Sequence, residues 1–232
     1  MGLIGGLVNA LLIAYARITP ILATLGTMQI FNGIAVVATG GRTLYSFPSS
    51  LGAIGQMTVA FIPMLFFAFV VVAIIVAVVI NRTAIGRRIQ LEGANPVASL
   101  YSGLNSRRTL LATYLSTGLL AGIAGILIIM RNPTASADYG ASYTLLVIVI
   151  AVLGGTNPNG GFSTVLGVVL ATLTLQVVSS GFTALRLSSY EYSIAQGVIL
   201  IAVMIIDQID WRRLRRKSTE PPTETVAMAT GR

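Results

Sequence analysis

Residues 58–80 read TVAFIPMLFFAFVVVAIIVAVVI, 23 consecutive positions without a charged side chain. A membrane-crossing helix needs about 20 such residues, whereas barrel strands alternate apolar and polar over about ten. This run does not alternate, so Thr58–Ile80 is expected to be a spanning helix. Met1–Ala16, Ile21–Gly40 and Leu110–Met130 repeat the pattern, each as one span. Residues 139–185 are also uncharged but too long for one span. They are broken by Gly154-Gly155-Thr156-Asn157-Pro158-Asn159-Gly160-Gly161, whose Gly, Asn and Pro favour turns. Two helices follow, Tyr139–Leu153 and Phe162–Phe182, with Tyr192–Ile206 as a last, short crossing. The expected fold is all-α, a polytopic transmembrane helical bundle of about six membrane crossings.

Composition agrees. Of 232 residues, 55% are hydrophobic and 9% charged, against roughly 25% charged in soluble domains. Cys and His are absent, which excludes disulfides, Cys/His metal sites, thiol nucleophiles and His-based triads. Five of the seven acids, Glu191, Asp207, Asp210, Glu220 and Glu224, lie beyond position 190, so clustered carboxylate chemistry is not expected. We expect no catalytic residue and no metal site.

The net charge of +8 is distributed by topology. Alternating sides place Arg17, Arg82, Arg87, Arg88, Arg107, Arg108, Arg212, Arg213, Arg215, Arg216, Lys217 and Arg232 on one face and Arg42, Arg131 and Arg186 on the other. Cytoplasmic loops are enriched in Arg and Lys, so the loop 81–108 and the C-terminal tail are expected in the cytoplasm. The charge then reflects orientation, not nucleic-acid binding. Residues 1–210 form the membrane domain. In the tail, 211–232, Trp211 and the basic run after it suit an anionic lipid surface, and the remainder, with Pro221-Pro222, is expected to be disordered. Met1–Ala16 lacks the charged start of a signal peptide and reads as the second half of a buried helix, with Gly2, Gly5 and Gly6 allowing close packing.

The 28-residue loop 81–108 is long for a helix connector. Asn95-Pro96 reads as a helix start and Gly103 as its stop. Val97, Leu100, Tyr101 and Leu104 share one face of the helix between them. Such a helix either presents an apolar knob to a partner's groove or lies passively among headgroups. Gly86, outside the predicted helix, is expected to tolerate a larger side chain better than Gly103.

Three stretches carry a resemblance. Gly93-x-Asn95-x-x-Ala98-Ser99-x-x-Ser102-Gly103-Leu104 resembles the coupling-helix signature of ribose-type ABC transporter permeases, G-x-N-x-x-A-A-x-x-S-G-I, with Ser99 for an Ala and Leu104 for an Ile. Thr19-Pro-Ile-Leu-Ala-Thr-Leu-Gly-Thr-Met28 resembles that family's P-F-I-x-T-L-G-T-M segment, and Leu153–Gly161 its L-G-G-T-S-x-x-G-G turn. The motifs stand in family order and cover residues 1–210. The family's N-terminal spans and their G-I-D-L-S-V-G stretch are absent, so the chain resembles the C-terminal two-thirds of a permease. The resemblance implies a bacterial inner-membrane importer subunit for a simple sugar or related neutral solute. Its partners would be an ABC ATPase carrying ATP and Mg, a second permease subunit in a homo- or heterodimer, and an extracytoplasmic solute-binding protein. It also implies that Gly93, Asn95, Ala98, Ser99, Ser102, Gly103 and Leu104 couple ATPase closure to alternating access.

The remaining polar residues narrow the function. A phosphate loop needs G-x-x-x-x-G-K-[ST], and the only lysine, Lys217, follows Arg216. The 154–161 stretch is therefore expected to be a structural turn, and this chain to hold no nucleotide. Gly118-x-x-x-Gly122 and Ala121-x-x-x-Gly125 make small-residue packing faces. At depth, Gln29, Asn32 and Gln176 suit a neutral hydroxylated solute. Thr24, Thr27, Thr172 and Thr174 can instead bond their own helix carbonyls. Glu191 and Asp207 sit at span ends, so no buried charge suggests a proton relay. A secondary carrier or channel subunit and a truncated, non-functional permease remnant stand as the alternatives.

Overall fold

The computed structural model describes residues 1–45, 52, 55, 57–59, 62–157, 160–161 and 163–208. The tail from Trp211 lies outside them, as do Pro158, Asn159 and Phe162 of the glycine-rich turn. The described elements are α1 (Gly2–Ala14), α2 (Pro20–Thr39), β1 (Thr58–Val59), β2 (Ile62–Pro63), α3 (Met64–Arg82), α4 (Ala84–Ala94), α5 (Pro96–Tyr101), α6 (Ser106–Arg131), α7 (Tyr139–Leu153), α8 (Val165–Ala184) and α9 (Ser189–Gln208).

Four helices, α2, α3, α6 and α8, are long and apolar enough to cross a membrane, and three shorter apolar helices accompany them, α1, α7 and the Tyr190–Ile205 stretch of α9. Among the described residues these seven apolar helices fall on the seven apolar segments read from the sequence, so the segments agree and the expected count of about six crossings is one short. The third span was placed too early. Thr58–Val59 and Ile62–Pro63 are short antiparallel strands, with Thr58 paired to Pro63 and Val59 to Ile62. Proline fixes its own φ and disfavours helix in the residue before it, so the helix starts only after Pro63. The last apolar stretch, expected at Tyr192–Ile206, lies at Tyr190–Ile205 within a longer helix. Ser188 and Glu191 form a reciprocal cap, Ser188 N–H to Glu191 Oε2 at 2.6 Å and Glu191 N–H to Ser188 Oγ at 3.4 Å. This Ser-x-x-Glu capping box starts α9 at Ser189 and makes it 20 residues long.

The helices meet through small residues, as membrane packing without a hydrophobic driving force requires. α1 packs on α6 through Gly2 and Gly6 against Gly118 and Gly122. A Cβ on Gly2 would strike the Gly118 carbonyl and stand 2.8 Å from Gly122 N, and one on Gly6 would strike the Tyr114 carbonyl. Gly5 turns instead to the Phe31 ring. Gly125, in the second small-residue pattern, has open space beside it. Thr27 donates to Asn9 Oδ1 at 2.6 Å and pins α2 to α1. Few large side chains are fully buried, and α3 buries none of its residues. Its outward Phe66, Phe67, Val71, Ile74, Ile75 and Val78 would be costly in water and suit hydrocarbon.

The loops gather at two ends. At one, Leu44 and Ala135 exchange backbone bonds of 2.9 Å, joining the chain after α2 to the chain after α6. The opposite end holds the α1–α2 junction, α4, α5, the start of α6 and Gly160, which line one common cavity.

Candidate functional site

The 81–108 segment is a two-helix elbow. Thr83 breaks the chain between α3 and α4, donating to the Val79 carbonyl at 2.6 Å and accepting from Gly86 N–H at 3.2 Å. α4 then folds back so closely that a Cβ on Gly86 would strike the Val79 and Ile80 carbonyls. Gly86 is therefore a required close approach, which reverses the expectation that it tolerates bulk. The sequence reading also missed α4 itself, although Thr83 is a sound N-cap type.

Asn95 makes the elbow's bend. Its backbone is extended, at φ −157° and ψ 96°, and its Oδ1 accepts from Val97 and Ala98 N–H at 3.1 and 3.0 Å. Pro96 follows at the first helical position, where its missing N–H costs nothing. α5 runs only from Pro96 to Tyr101. Leu104 N–H bonds Ser99 O at 3.2 Å and Gly103 N–H bonds Leu100 O at 3.0 Å, with Gly103 at φ +75°. That is a Schellman ending with glycine in the left-handed position. Because the chain reverses there, Leu104 leaves the helix and is half-buried, and the expected four-residue face contracts to three. Val97, Leu100 and Tyr101 are 63, 64 and 88% exposed, and Ala98 lies open beside them. Ser102 Oγ donates back to Ala98 O at 2.9 Å.

The inner side of the elbow is polar. Ser99 is 3% exposed and donates to Glu92 Oε2 at 2.6 Å, with Glu92 9% exposed. This bond clamps α5 onto α4. A buried carboxylate needs such a donor, and the Ser99 that departs from the resembled pattern supplies it.

Gly93 meets the other glycine motif. A Cβ there would stand 2.8 Å from Gly161 N, and one on Gly160 would stand 2.6 Å from Gly93 O. Gly155, Gly160 and Gly161 have φ of +78°, +97° and +107°, a region open to glycine. The cavity between the elbow and the α1–α2 junction measures about 1210 Å³ and includes Arg17, Pro96, Leu100, Leu104, Arg107 and Gly160 in its wall. Arg107 sits over the Tyr15 ring, 5.3 Å from its centroid.

The proposed solute residues are elsewhere. Gln29 and Gln176 are exposed and Asn32 is half-buried. They stand on α2 and α8, whose main packing partners differ, and none of them lines this cavity. Thr24, Thr172 and Thr174 bond carbonyls of their own helices. Among the described residues no group of acidic side chains is arranged to hold a metal ion.

The family model described as "Branched-chain amino acid transport system / permease component" matches residues 1–206. The autoinducer 2 import system permease protein LsrD of Escherichia coli (strain K12) is 30% identical over 223 residues, covering 94% of this chain and 68% of the relative. The LsrD protein of Shigella flexneri matches to the same extent. No solved structure matches the chain.

Proposed function

The chain belongs to this ABC transporter permease family, and from that premise we propose that it is the membrane subunit of an importer driven by a separate ATPase. It sits in a bacterial inner membrane with the elbow in the cytoplasm. Its cargo is a simple sugar or a related neutral solute; the relatives' names give autoinducer 2 as theirs. A second permease subunit completes the path, an extracytoplasmic binding protein delivers the solute, and ATP and Mg are held by the ATPase. Closure of the ATPases moves the elbow, and the bundle switches which side is open.

The observation that carries this reading is the knob of Val97, Leu100 and Tyr101. These residues are exposed on a helix held rigid by the Asn95 cap, the Glu92–Ser99 bond and the Gly103 reversal. Apolar side chains fixed in this way suit insertion into a protein groove, where buried aromatic and aliphatic anchors carry most of the affinity. Leu100→Ala and Tyr101→Ala should each weaken co-purification of the ATPase about tenfold or more, with normal membrane insertion. Unchanged association in both variants would reduce the elbow to a surface helix.

Gln29, Asn32 and Gln176 are proposed as solute contacts, since uncharged amides can exchange hydrogen bonds with hydroxyl groups. Gln29→Leu and Gln176→Leu should lower uptake while leaving ATPase association intact. Equal uptake in both would assign these amides to other duties.

A further inference from the structure

Two sequence motifs far apart in the chain touch backbone to backbone, and the coupling reading uses only one of them. The 154–161 turn is fastened at its two ends to different parts of the molecule. At its first end Thr164 Oγ1 donates to Gly154 O at 3.1 Å. A Cβ on Gly154 would stand 2.7 Å from Val168 Cα, and one on Gly167 would strike the Gly154 carbonyl. This end is therefore locked onto α8. At the other end Gly160 and Gly161 lie against Gly93: a Cβ on Gly93 would stand 2.8 Å from Gly161 N and one on Gly160 2.6 Å from Gly93 O, while Gly161, at φ +107°, sits in the left-handed region. The elbow's principal neighbours are α3 and α6, while α8 packs on α7 and α3. The turn joins the elbow to the α7–α8 pair.

We propose that the Gly93–Gly160–Gly161 contact is a second route of energy coupling, by which movement of the elbow is passed to the α7–α8 hairpin as well as along α3 and α6. These three glycines are positioning residues: they lie outside the exposed knob of Val97, Leu100 and Tyr101, and act by letting the turn bear directly on α4. Backbone contact is stiff in a way that side-chain contact is not, because no rotamer can yield. A displacement of α4 of an ångström or so must then move Gly160, whose N–H bonds Asn157 O at 3.0 Å, and through Gly154 the start of α8. The proposal rests on the reading of the α5 knob as the ATPase contact.

Gly93→Ala tests the proposal through the sign of its effect. Gly93 is inside a helix, where alanine is intrinsically the better residue, so a purely local role makes the change neutral or favourable. If the turn bears on this position, the new Cβ pushes it away. In the assembled transporter, reconstituted with its ATPase, Gly93→Ala should lower solute moved per ATP hydrolysed by roughly threefold or more. Co-purification of the ATPase should stay normal, because the knob is untouched. Gly125→Ala, at a helical glycine with open space beside it, is the control and should behave as the parent. Thr164→Val keeps the side chain's size, removes its bond to Gly154 O and loosens the far end of the turn, so it should lower the same ratio even if Gly93→Ala is poorly recovered from the membrane. A parental transport-to-ATP ratio in either recovered variant overturns the proposal, as does loss of ATPase binding together with transport. Normal ATPase binding and transport in Leu100→Ala would instead sink the coupling reading beneath it.

Discussion

Two helix endings with the same backbone geometry use different residues, and the difference has measurable consequences. Gly103 closes α5 at φ +75°, with nothing within 4 Å of the position a Cβ would take. Arg186 closes α8 at φ +57°, where Leu187 N–H bonds Phe182 O and Arg186 N–H bonds Thr183 O, both at 3.0 Å. A side chain in the left-handed region costs about 1–2 kcal/mol, and the arginine bears that cost where a glycine would not. Arg186→Gly should therefore raise thermal stability in detergent, by up to about 1 kcal/mol once the glycine's greater unfolded-state freedom is set against the gain. The opposite change belongs at the elbow. Gly103→Val should destabilise the α5 ending by about 1–2 kcal/mol and weaken ATPase association, through backbone strain alone because the chain leaves the space open. Gly103→Asn should recover much of the loss, since Asn tolerates this conformation. Equal loss in the Asn and Val variants would point to a side-chain clash with the partner.

At the scale of elements, the contact between α1 and α6 has the clearest physical cause. Gly6 faces the Tyr114 carbonyl and stands against Gly118 Cα, where a Cβ would come within 3.1 Å. Gly6→Val must separate the two helices, and most of the close contact that holds α1 is lost with them. The variant should be cleaved within α1 by added protease at concentrations that leave the parent intact; equal resistance would show that the pair tolerates separation. The two small-residue faces were legible in the sequence, as Gly2, Gly5 and Gly6 and as Gly118-x-x-x-Gly122, whereas their meeting each other comes only from the packing. Span positions were legible too, since long uncharged runs admit few readings. The start of α3 was not: Pro63 sits inside an apolar run, so composition extends the span while stereochemistry stops it. α4 was hidden differently. It is short, charged and glycine-bearing, and its amphipathic face becomes recognisable only once the Thr83 cap and the Asn95 bend fix its ends. In the elbow, the Asn95 cap and Gly103 stop follow from local rules. The Glu92–Ser99 clamp and the meeting of Gly93 with Gly160 depend on how distant segments pack, which no local pattern encodes.

For the whole molecule, the two ends of the bundle give the orientation a direct test. Among the described residues, Arg17, Arg82, Arg87, Arg88, Arg107 and Arg108 gather at the end with the elbow, and Arg42, Arg131 and Arg186 at the other. The remaining basic residues, Arg212, Arg213, Arg215, Arg216, Lys217 and Arg232, lie beyond α9 in the tail. The bias at the described ends is thus six to three, and it has the sign expected if the elbow is cytoplasmic. A chain without cysteine lets each end be probed on its own. Tyr45, 73% exposed near the Leu44–Ala135 bridge, and Ala84, exposed at the start of α4, stand at opposite ends. Tyr45→Cys should react with a membrane-impermeant thiol reagent added to intact cells, whereas Ala84→Cys should react only after permeabilisation. The two variants leave every basic residue in place, so neither alters the charge balance being tested. Labelling of Ala84→Cys from outside would invert the bundle, and the knob on α5 would then face away from any ATP supply, leaving it unable to serve an ATPase.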